Sequence, residues 1–372
     1  MNQKINDIAF ISKPIIPPWN DGTKVLIRNL IYGLTKFNYL IVSSDIYRII
    51  KKNVTNVPLA KGNYPTFVYK TKLFFYFTLK KRAKIYCYFF APTPYNVYVS
   101  KTINRIAETR SVQVIPSQPL SWRHKEEIIF GDKIIVLSRY SYRKVLSLGI
   151  KKEDVKIIPP PLLPTYEDLE KRAKEIRHRL SIEKDQFVIL YPGDLEFSGA
   201  IWNVLKASVE ILRNYKAIFV FASRPKTDEA RTIQEIVEKE TYAYGIADRC
   251  RFVGEVPDIK GLIKGADLCI LPAETTYAKL DYPLVLLEAM EQGIPIIVGK
   301  GTPAEELTKL HNCGIAVDPF NSFELVEAIS KFLENKELRK EMGERGKEAI
   351  KSCYTPDKIG EMYENVFKEL LE

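Results

Sequence analysis

The chain has 372 residues, of which 46% are hydrophobic and 27% are charged. This composition excludes a mainly disordered protein, and at roughly 100–200 residues per domain the length predicts two folded domains. The net charge of +10 is unevenly distributed, with +19 over residues 1–180 and −9 over residues 181–372. The asymmetry predicts different partners for the two halves, although a lysine-rich surface can also simply be solvated.

The number and spacing of the cysteines and histidines limit the metal sites and disulfides that the chain can form, and they indicate its redox compartment. Five cysteines stand singly at positions 87, 250, 269, 313 and 353, and the chain has only three histidines. This pattern favours neither a disulfide framework nor a zinc site, so we expect a reducing cytoplasm, no metal and no other cofactor. The longest apolar runs fall far short of the ~20 residues that span a bilayer, and we expect no signal peptide.

The first half of the chain alternates apolar runs with polar and Pro-rich segments. The runs predict strands at 7–11, 39–42, 85–90, 112–115 and 133–137. A helix is predicted over about 23–36. Three consecutive prolines at 159–161 predict a stiff extended hinge, and a Lys/Arg/Glu-rich helix follows up to Leu180. We interpret this region as the link between domains.

The second half alternates strands and helices more clearly. Its predicted strands are 187–191, 217–222, 251–254, 267–272, 295–298 and 314–317. Its predicted helices are 201–215, 227–242, 257–265, 284–292 and 356–371. Uniformly apolar strands between helices indicate a parallel sheet covered on both faces.

These patterns predict an α/β protein with two Rossmann-like, doubly wound parallel-sheet domains that face one another across a cleft. The N-terminal domain is expected over 1–180 and the C-terminal domain over 181–355. A last helix over 356–372 is expected to pack back on the N-terminal domain.

Ligands of open parallel sheets bind beyond the carboxyl ends of the strands. The most informative loop follows the predicted strand 267–272 and leads through Pro283 into a helix. Pro283 suits a helix start because it needs no N–H there, and the amides of Leu284 and Val285 then suit a phosphate. Glu288 lies one turn further, either as a charge that favours the helix dipole or as a ligand for hydroxyl groups.

The segment Pro283-Leu-Val-Leu-Leu-Glu-Ala-Met-Glu-Gln-Gly-Ile-Pro-Ile-Ile-Val298 closely resembles the signature of GT-B glycosyltransferases of the large retaining family 4. The resemblance implies the GT-B fold, and it implies that Glu288 binds the ribose hydroxyls of a nucleotide-sugar donor. Further segments that are similar to the family are 17–24, 136–149 with 156–160, and 191–194. The last of these resembles the first loop of the donor domain, which implies donor contacts at Gly193 and Asp194.

The chain departs from the family pattern at two places that matter for catalysis. Leu280 stands where the family usually has a Glu that contacts the transferred sugar, and the neighbouring Lys279 or Asp281 could take over that role. Asp194 and Ser198 stand where the family usually has an Arg and a Lys that neutralise the donor diphosphate. Family members with an incomplete pair include inactive subunits.

A diphosphate donor requires a positive group, because an unpaired charge in a closed cleft is strongly unfavourable. Arg224 is the first candidate, since the segment 222–226 follows a predicted strand end directly. Lys279 is the second candidate and Lys226 the third. Each of them could instead be a solvated surface cation.

The first domain offers candidate groups for the acceptor. Gly22 lets the backbone approach a ligand closely, and its neighbours Asp21 and Lys24 could touch an acceptor or a donor phosphate. Gln118 follows the predicted strand 112–115, where family members often carry acceptor- or sugar-binding groups. We assign these four residues to the acceptor side.

A stretch of aromatic and basic residues from Tyr64 to Lys84 has two interpretations. Its interleaved rings and cations suit an anionic membrane interface, and they also suit a core helix with a charged outer face. No recognised nucleic-acid-binding module is present, so we expect no nucleic-acid partner.

We predict a retaining glycosyltransferase that moves a sugar from a UDP- or GDP-sugar to a hydroxyl of a glycan or of a lipid-linked acceptor. Such a protein positions both substrates and stabilises the leaving diphosphate, with Arg224, Lys279 and Asp281 as candidate catalytic residues. We expect a cytoplasmic enzyme of cell-envelope glycan synthesis, peripheral on the inner face of the cell membrane. The alternatives are a catalytically silent GT-B subunit that binds carbohydrate or nucleotide, and a GT-B sugar-nucleotide epimerase.

Overall fold

A computed structural model describes residues 6–44, 47–62, 65–165, 168–256, 258–277 and 279–372. The chain divides into two units, and each is built on one parallel sheet. The first unit comprises Met1–Leu163, Ala278–Asp281 and Cys353–Glu372, and the second comprises Pro164–Tyr277 and Tyr282–Ser352. The predicted α/β class with two doubly wound parallel sheets is confirmed.

Seven strands form the sheet of the first unit. They are β1 (Asn6–Ser12), β2 (Tyr39–Ser44), β3 (Val54–Ala60), β4 (Ala83–Phe89), β5 (Arg110–Ile115), β6 (Lys133–Val136) and β7 (Val155–Ile157). Their order across the sheet is β3-β2-β1-β4-β5-β6-β7, and all neighbours are parallel. The helices are α1 (Gly22–Gly33), α2 (Phe67–Thr78), α3 (Pro94–Ala107), α4 (Lys125–Ile128), α5 (Arg139–Ser147) and the C-terminal α14 (Pro356–Leu371).

Both faces of this sheet are covered, which explains why its central strands are apolar along their whole length. Ala9 and Tyr88 belong to the cluster in which buried side chains of α2 and α3 pack on one face. Side chains alternate along β1, so Phe10 points to the opposite face. There its ring lies 6.5 Å from that of Phe367 in α14, centroid to centroid.

The helix α14 packs on α1 and stabilises the turn that follows α1. The buried carboxylate of Glu364 accepts hydrogen bonds from the backbone N–H groups of Thr35 and Lys36, both at 2.6 Å, and from the Tyr39 hydroxyl at 2.9 Å. Burial, together with the charge of Glu364, raises the pKa of Tyr39 well above its usual range. Polar bonds as well as apolar packing therefore hold the C-terminal helix in the first unit.

Six strands form the sheet of the second unit. They are β8 (Phe187–Tyr191), β9 (Ala217–Phe221), β10 (Cys250–Phe252), β11 (Leu268–Leu271), β12 (Ile296–Gly299) and β13 (Gly314–Val317), in the parallel order β10-β9-β8-β11-β12-β13. The helices are α6 (Leu169–Arg179), α7 (Ala200–Asn214), α8 (Asp228–Ala243), α9 (Ile259–Lys264), α10 (Leu284–Glu291), α11 (Glu305–His311), α12 (Ser322–Glu334) and α13 (Lys336–Cys353). None of the helices in the described ranges is long and apolar enough to cross a lipid bilayer.

The structure differs from the sequence prediction at the link between the units. The division falls between Leu163 and Pro164, whereas the sequence pattern predicts a boundary at residue 180. The helix α6 belongs to the second unit because its apolar face packs on α9, and Arg172 of α6 forms an ion pair with Asp258 at the start of α9. The predicted helix over 257–265 begins at Ile259, and Pro257 lies outside the described residues.

Candidate functional site

Polar groups of the first unit gather at the carboxyl end of β1. Lys13 follows β1 directly, and its ammonium lies 2.6 Å from one carboxylate oxygen of Asp21. The other oxygen accepts hydrogen bonds from the backbone N–H groups of Thr23 and Lys24, at 3.0 and 3.2 Å, and so caps α1. Burial opposes ionisation of Asp21, but the hydrogen bond and the charge of Lys13 hold its pKa below the usual range.

Lys24 lies in the first turn of α1 with only 4% of its surface exposed. Burial lowers the pKa of its ammonium; the charge of Asp21 opposes this effect and that of Lys13 adds to it. Gln118, the other polar acceptor-side candidate, is half-buried and follows β5 by three residues. These residues share a sheet edge, since β1, β4 and β5 are successive strands.

Residues 279–281 belong to the first unit, although they follow β11 in the chain. Leu280 is buried, and a Cβ built on Gly22 would lie 3.1 Å from its Cγ. Gly22 therefore permits a close approach between this segment and the start of α1. Where the resemblance led us to expect a Glu that contacts sugar, the chain has an apolar side chain packed on backbone. The adjacent Lys279 is half-buried.

Asp281 is fully buried, and its carboxylate accepts a hydrogen bond of 2.6 Å from the Ser138 hydroxyl. Its backbone N–H donates to the carbonyl oxygen of Pro116 at 3.2 Å. Ser138 also caps α5, because its Oγ accepts a hydrogen bond from the N–H of Ser141 at 3.0 Å. The carboxylate of Asp281 is thus bonded beyond the carboxyl end of β6, where it fixes the segment 279–281.

The loop after β8 is built around Asp194. One oxygen of its carboxylate accepts hydrogen bonds from three backbone N–H groups, those of Glu196 (3.2 Å), Phe197 (2.6 Å) and Ser198 (3.0 Å). The Tyr191 hydroxyl donates to the Asp194 carbonyl at 2.8 Å, and a Cβ on Gly193 would lie 2.1 Å from the Tyr191 ring. Only glycine fits at 193, and an Arg at 194 could not accept these bonds.

Arg224 follows β9 by three residues, and its guanidinium donates to the Glu255 carboxylate at 2.9 Å. The Arg224 side chain is 25% exposed and that of Glu255 is 55% exposed. A diphosphate at this position would therefore compete with Glu255 for the guanidinium. Lys226 is exposed two residues further on. Within the described ranges, no group of three or more His, Cys, Asp or Glu side chains is placed to hold a metal ion.

The helix α10 presents both amides and a carboxylate. Pro283 is its N-cap rather than its first helical residue, and the Pro283 side chain makes no capping hydrogen bond. Leu284 and Val285 of the first turn are half-exposed, and so is Glu288 one turn later. Burial raises the pKa of Cys269 in β11, and the charge of Glu288 raises it further. Because β9, β8 and β11 are successive strands, the loops that carry Arg224, Gly193 and α10 follow adjacent strand ends.

Comparison with known proteins identifies the region that contains these loops. Residues 172–349 match the family model described as glycosyl transferases group 1. Because residues 172–349 resemble that family, we refer to them as the group 1 domain. It contains Gly193, Asp194, Arg224, Lys226 and Glu288.

Curated relatives of the chain extend beyond the group 1 domain. An uncharacterized glycosyltransferase of Methanocaldococcus jannaschii is 26% identical over an alignment of 246 residues, and the match covers 64% of this chain and 60% of that protein. The alpha-D-kanosaminyltransferase of Streptomyces kanamyceticus is 26% identical over an alignment of 210 residues, and the match covers 55% of this chain and 50% of that protein. The chain thus spans between half and three-fifths of the length of these two relatives.

Solved structures bear on the fold of the whole chain. Anabaena HepE, crystallised in complex with UDP, matches 98% of this chain over 100% of its own, with a TM-score of 0.74 and 16% sequence identity. The same protein has also been crystallised with UDP-glucose. Similarity at this identity shows the fold alone, and it confirms the GT-B fold that the resemblance implied.

Three residues that were not predicted from the sequence pair with predicted site residues. The pairs are Lys13 with Asp21, Ser138 with Asp281, and Glu255 with Arg224. Each of the three unpredicted residues is polar and stands just beyond an apolar run, which is the signal that could have found it. The pairs themselves depend on loop geometry, which no spacing in the chain encodes.

We predict that Ser138→Ala destabilises the first unit, because the buried Asp281 carboxylate loses its donor and α5 loses its cap. The expected cost is about 1–3 kcal/mol, which lowers the unfolding temperature by about 2–10 °C. Ser141→Ala is the matched control, since this buried hydroxyl has no hydrogen-bond partner among the described residues. Differential scanning calorimetry checks the pair; equal unfolding temperatures for the two variants would refute the role given to Ser138.

Proposed function

We propose that the chain is a glycosyltransferase that moves a sugar from a nucleotide-sugar donor to an acceptor hydroxyl, with retention at the anomeric carbon. The observation that carries the proposal is Glu288, a half-buried acidic residue one turn into α10, a helix whose N-cap Pro283 makes no side-chain capping hydrogen bond. This helix lies inside the group 1 domain. The crystal structures of HepE with UDP and UDP-glucose support a nucleotide-sugar as the donor class.

In this proposal the group 1 domain holds the nucleotide part of the donor. Glu288 accepts hydrogen bonds from the ribose hydroxyls, and the first-turn amides of Leu284 and Val285 face a phosphate. The loop at Gly193 and Asp194 follows the neighbouring strand and presents backbone to the same ligand. The Pro283 N-cap leaves these amides to the ligand because it supplies no side-chain oxygen.

The chemistry we assign to the chain is electrostatic. Arg224 stabilises the diphosphate as negative charge develops on it, and Lys279 and Lys226 add positive charge. Asp281 is a positioning residue rather than a group that touches the sugar, because its buried carboxylate is bonded to Ser138 and fixes the segment that carries Lys279. Retention requires no covalent intermediate in this assignment, and we assign no nucleophile.

The acceptor is proposed to bind the first unit at Asp21, Gly22, Lys24 and Gln118. Lys13 holds the pKa of the Asp21 carboxylate below its usual range, and the ionised carboxylate can accept a hydrogen bond from an acceptor hydroxyl. Gly22 brings backbone close to the ligand, and Lys24 supplies a buried positive charge. A hydroxyl of a glycan or of a lipid-linked sugar fits these groups.

One alternative has specific support. A catalytically silent nucleotide- or carbohydrate-binding subunit would explain why Asp194 serves as an anchor for its loop and why Glu255 shares the charge of Arg224. Turnover of a panel of UDP- and GDP-sugars separates this alternative from the transferase.

We predict that Arg224→Ala lowers kcat for transfer at least tenfold, because the developing diphosphate charge loses its main partner. Glu255→Gln should act in the opposite sense and lower KM for the donor about twofold to fivefold, since the guanidinium is no longer shared. Arg231→Ala, which removes an exposed ion pair within α8, is the matched control and should leave both constants unchanged.

The panel of nucleotide-sugars is assayed by mass spectrometry of the products. Unchanged turnover in Arg224→Ala would remove this residue from the diphosphate site. Nucleotide binding by the wild-type protein without turnover of any donor would favour the silent subunit.

We further propose that the first unit uses α2 to contact the anionic cytoplasmic face of a membrane. Of the stretch Tyr64–Lys84, Tyr64 lies outside the described residues. Only Tyr69 and Phe77 of α2 are buried, whereas Phe75 is 52% exposed and Leu79, just after the helix, 79%. The helix α2 therefore packs on the core through Tyr69 and Phe77, while its outer face carries exposed apolar side chains as well as lysines. Exposed apolar side chains among lysines suit an interfacial helix.

We predict that the protein sediments with vesicles of phosphatidylglycerol and phosphatidylcholine and not with phosphatidylcholine alone. The double variant Phe75→Ser, Leu79→Ser should lose at least nine-tenths of this binding, because it removes apolar area from the interface. The control is Phe320→Ser, Phe323→Ser in the second unit, where both rings are comparably exposed. Equal binding of the two double variants, or equal binding to neutral vesicles, would exclude α2 as the contact.

A further inference from the structure

The first unit contains a cavity of about 540 Å³ between α2 and α3. Its lining is mostly aromatic and aliphatic and includes Tyr69, Phe74, Tyr88, Phe90 and Val99. The volume lies within the ~300–1,000 Å³ typical of small-molecule sites. Walls of this kind favour a hydrocarbon over a bare sugar, because they offer dispersion contacts and few hydrogen bonds.

Polar groups mark where the head of such a ligand would lie. Ser12 and Lys13 line the cavity at the end of β1, and Lys70 lines it from α2. Lys13 is the residue whose ammonium lies 2.6 Å from Asp21. One end of the cavity therefore adjoins the candidate acceptor groups.

The charge of the surrounding chain favours an anionic head. Residues 46–107, which include α2 and α3, contain twelve Lys and Arg and no Asp or Glu. Lys70 is exposed, so its ammonium is accessible to a ligand from solvent or from a membrane. An uninterrupted excess of positive charge attracts phosphate and repels cations.

The helix α2 separates the cavity from the outer apolar surface that carries Phe75 and Leu79. Phe67 and Thr71 line both the cavity and the shallow groove on the outer side of α2. The cavity and the outer groove therefore adjoin at the start of α2, beside the surface that we propose to meet the membrane. This connection favours a lipid over a soluble aromatic ligand.

We propose that this cavity binds the hydrocarbon tail of a lipid-linked acceptor, with the lipid phosphate near Lys70 and Lys13 and its sugar toward Asp21. The proposal rests on the glycosyltransferase function proposed above and names its acceptor class. A phosphate-bearing bulk membrane lipid shares the same chemistry, so the test must distinguish the two sources.

Binding of octyl, decyl and dodecyl phosphate to the full chain is measured by calorimetry, each below its critical micelle concentration. Kd should fall about twofold to fourfold for each added CH₂, and inorganic phosphate should bind at least 100-fold more weakly than dodecyl phosphate. Val99→Trp, which fills the cavity, should weaken dodecyl phosphate binding at least tenfold. Tyr98→Trp on the exposed side of α3 is the matched control and should bind like the wild type.

A second pair of variants tests the head group without altering the core. Lys70→Gln should weaken dodecyl phosphate binding about threefold to tenfold, whereas Lys72→Gln, which lies in the outer groove, should not. If Val99→Trp fails to fold, the chain-length series and this pair of lysine variants test whether the cavity binds the alkyl phosphate. Equal affinity for inorganic and dodecyl phosphate, or unchanged affinity in every folded cavity variant, would overturn the proposal.

Kinetics separate an acceptor from a bulk lipid. With an alkyl glycoside and the same sugar without its tail as acceptors, Val99→Trp should raise KM only for the tailed compound. An unchanged KM for both would indicate a bulk-lipid site and reject the acceptor assignment. Binding of UDP and GDP is measured on the same preparations as a separate test of the transferase. If these nucleotides bind but alkyl phosphates do not, the cavity proposal fails and the proposed transferase function stands.

Discussion

Parallel strand pairing is the constraint on which the rest of this structure depends. Because parallel strands run in the same direction, the loops that follow them emerge at one edge of each sheet. In the second unit β9, β8 and β11 are successive strands. Their loops carry Arg224, the Asp194 turn and the start of α10. The proposed donor site is therefore a consequence of strand order, and sequence distance between its residues is irrelevant.

At the carboxyl edge of the second sheet, carboxylates reduce the positive charge that is available to a donor diphosphate. One carboxylate oxygen of Asp194 accepts hydrogen bonds from three backbone N–H groups, which stabilises the loop. The same carboxylate places a negative charge where the family resemblance implies a cation. Glu255 holds Arg224 at 2.9 Å. In the first unit, Lys13 forms an ion pair with Asp21, and Ser138 donates a hydrogen bond to one oxygen of the buried Asp281 carboxylate. The proposed donor-side, acceptor-side and structural roles are therefore assigned to different carboxylates according to their partners.

The sequence predicted those features that depend on local pattern. Central strands such as β8 and β11 were located because buried parallel strands are continuously apolar. The strands β3 and β7 were missed because they are edge strands, where Asn56 and Pro58 are tolerated in one and only three residues pair in the other. The burial of Asp281 could not be predicted, since its partner Ser138 is 143 residues away in the chain. The cavity behind α2 was equally hidden, because interleaved aromatic and basic residues fit both a core helix and an interfacial one.

The central claim is that Glu288 binds the ribose of a nucleotide donor, and a binding cycle tests it most directly. Affinities of UDP and 2′,3′-dideoxy-UDP, and of the corresponding guanine nucleotides, are measured by calorimetry for the wild type and for Glu288→Ala. We expect removal of the ribose hydroxyls to weaken binding of the preferred nucleotide at least tenfold in the wild type and not at all in Glu288→Ala. The exposed Glu235→Ala on α8 should behave like the wild type. Wild-type affinity for UDP and GDP in Glu288→Ala, or an equal loss from the deoxynucleotide in both proteins, would contradict the account.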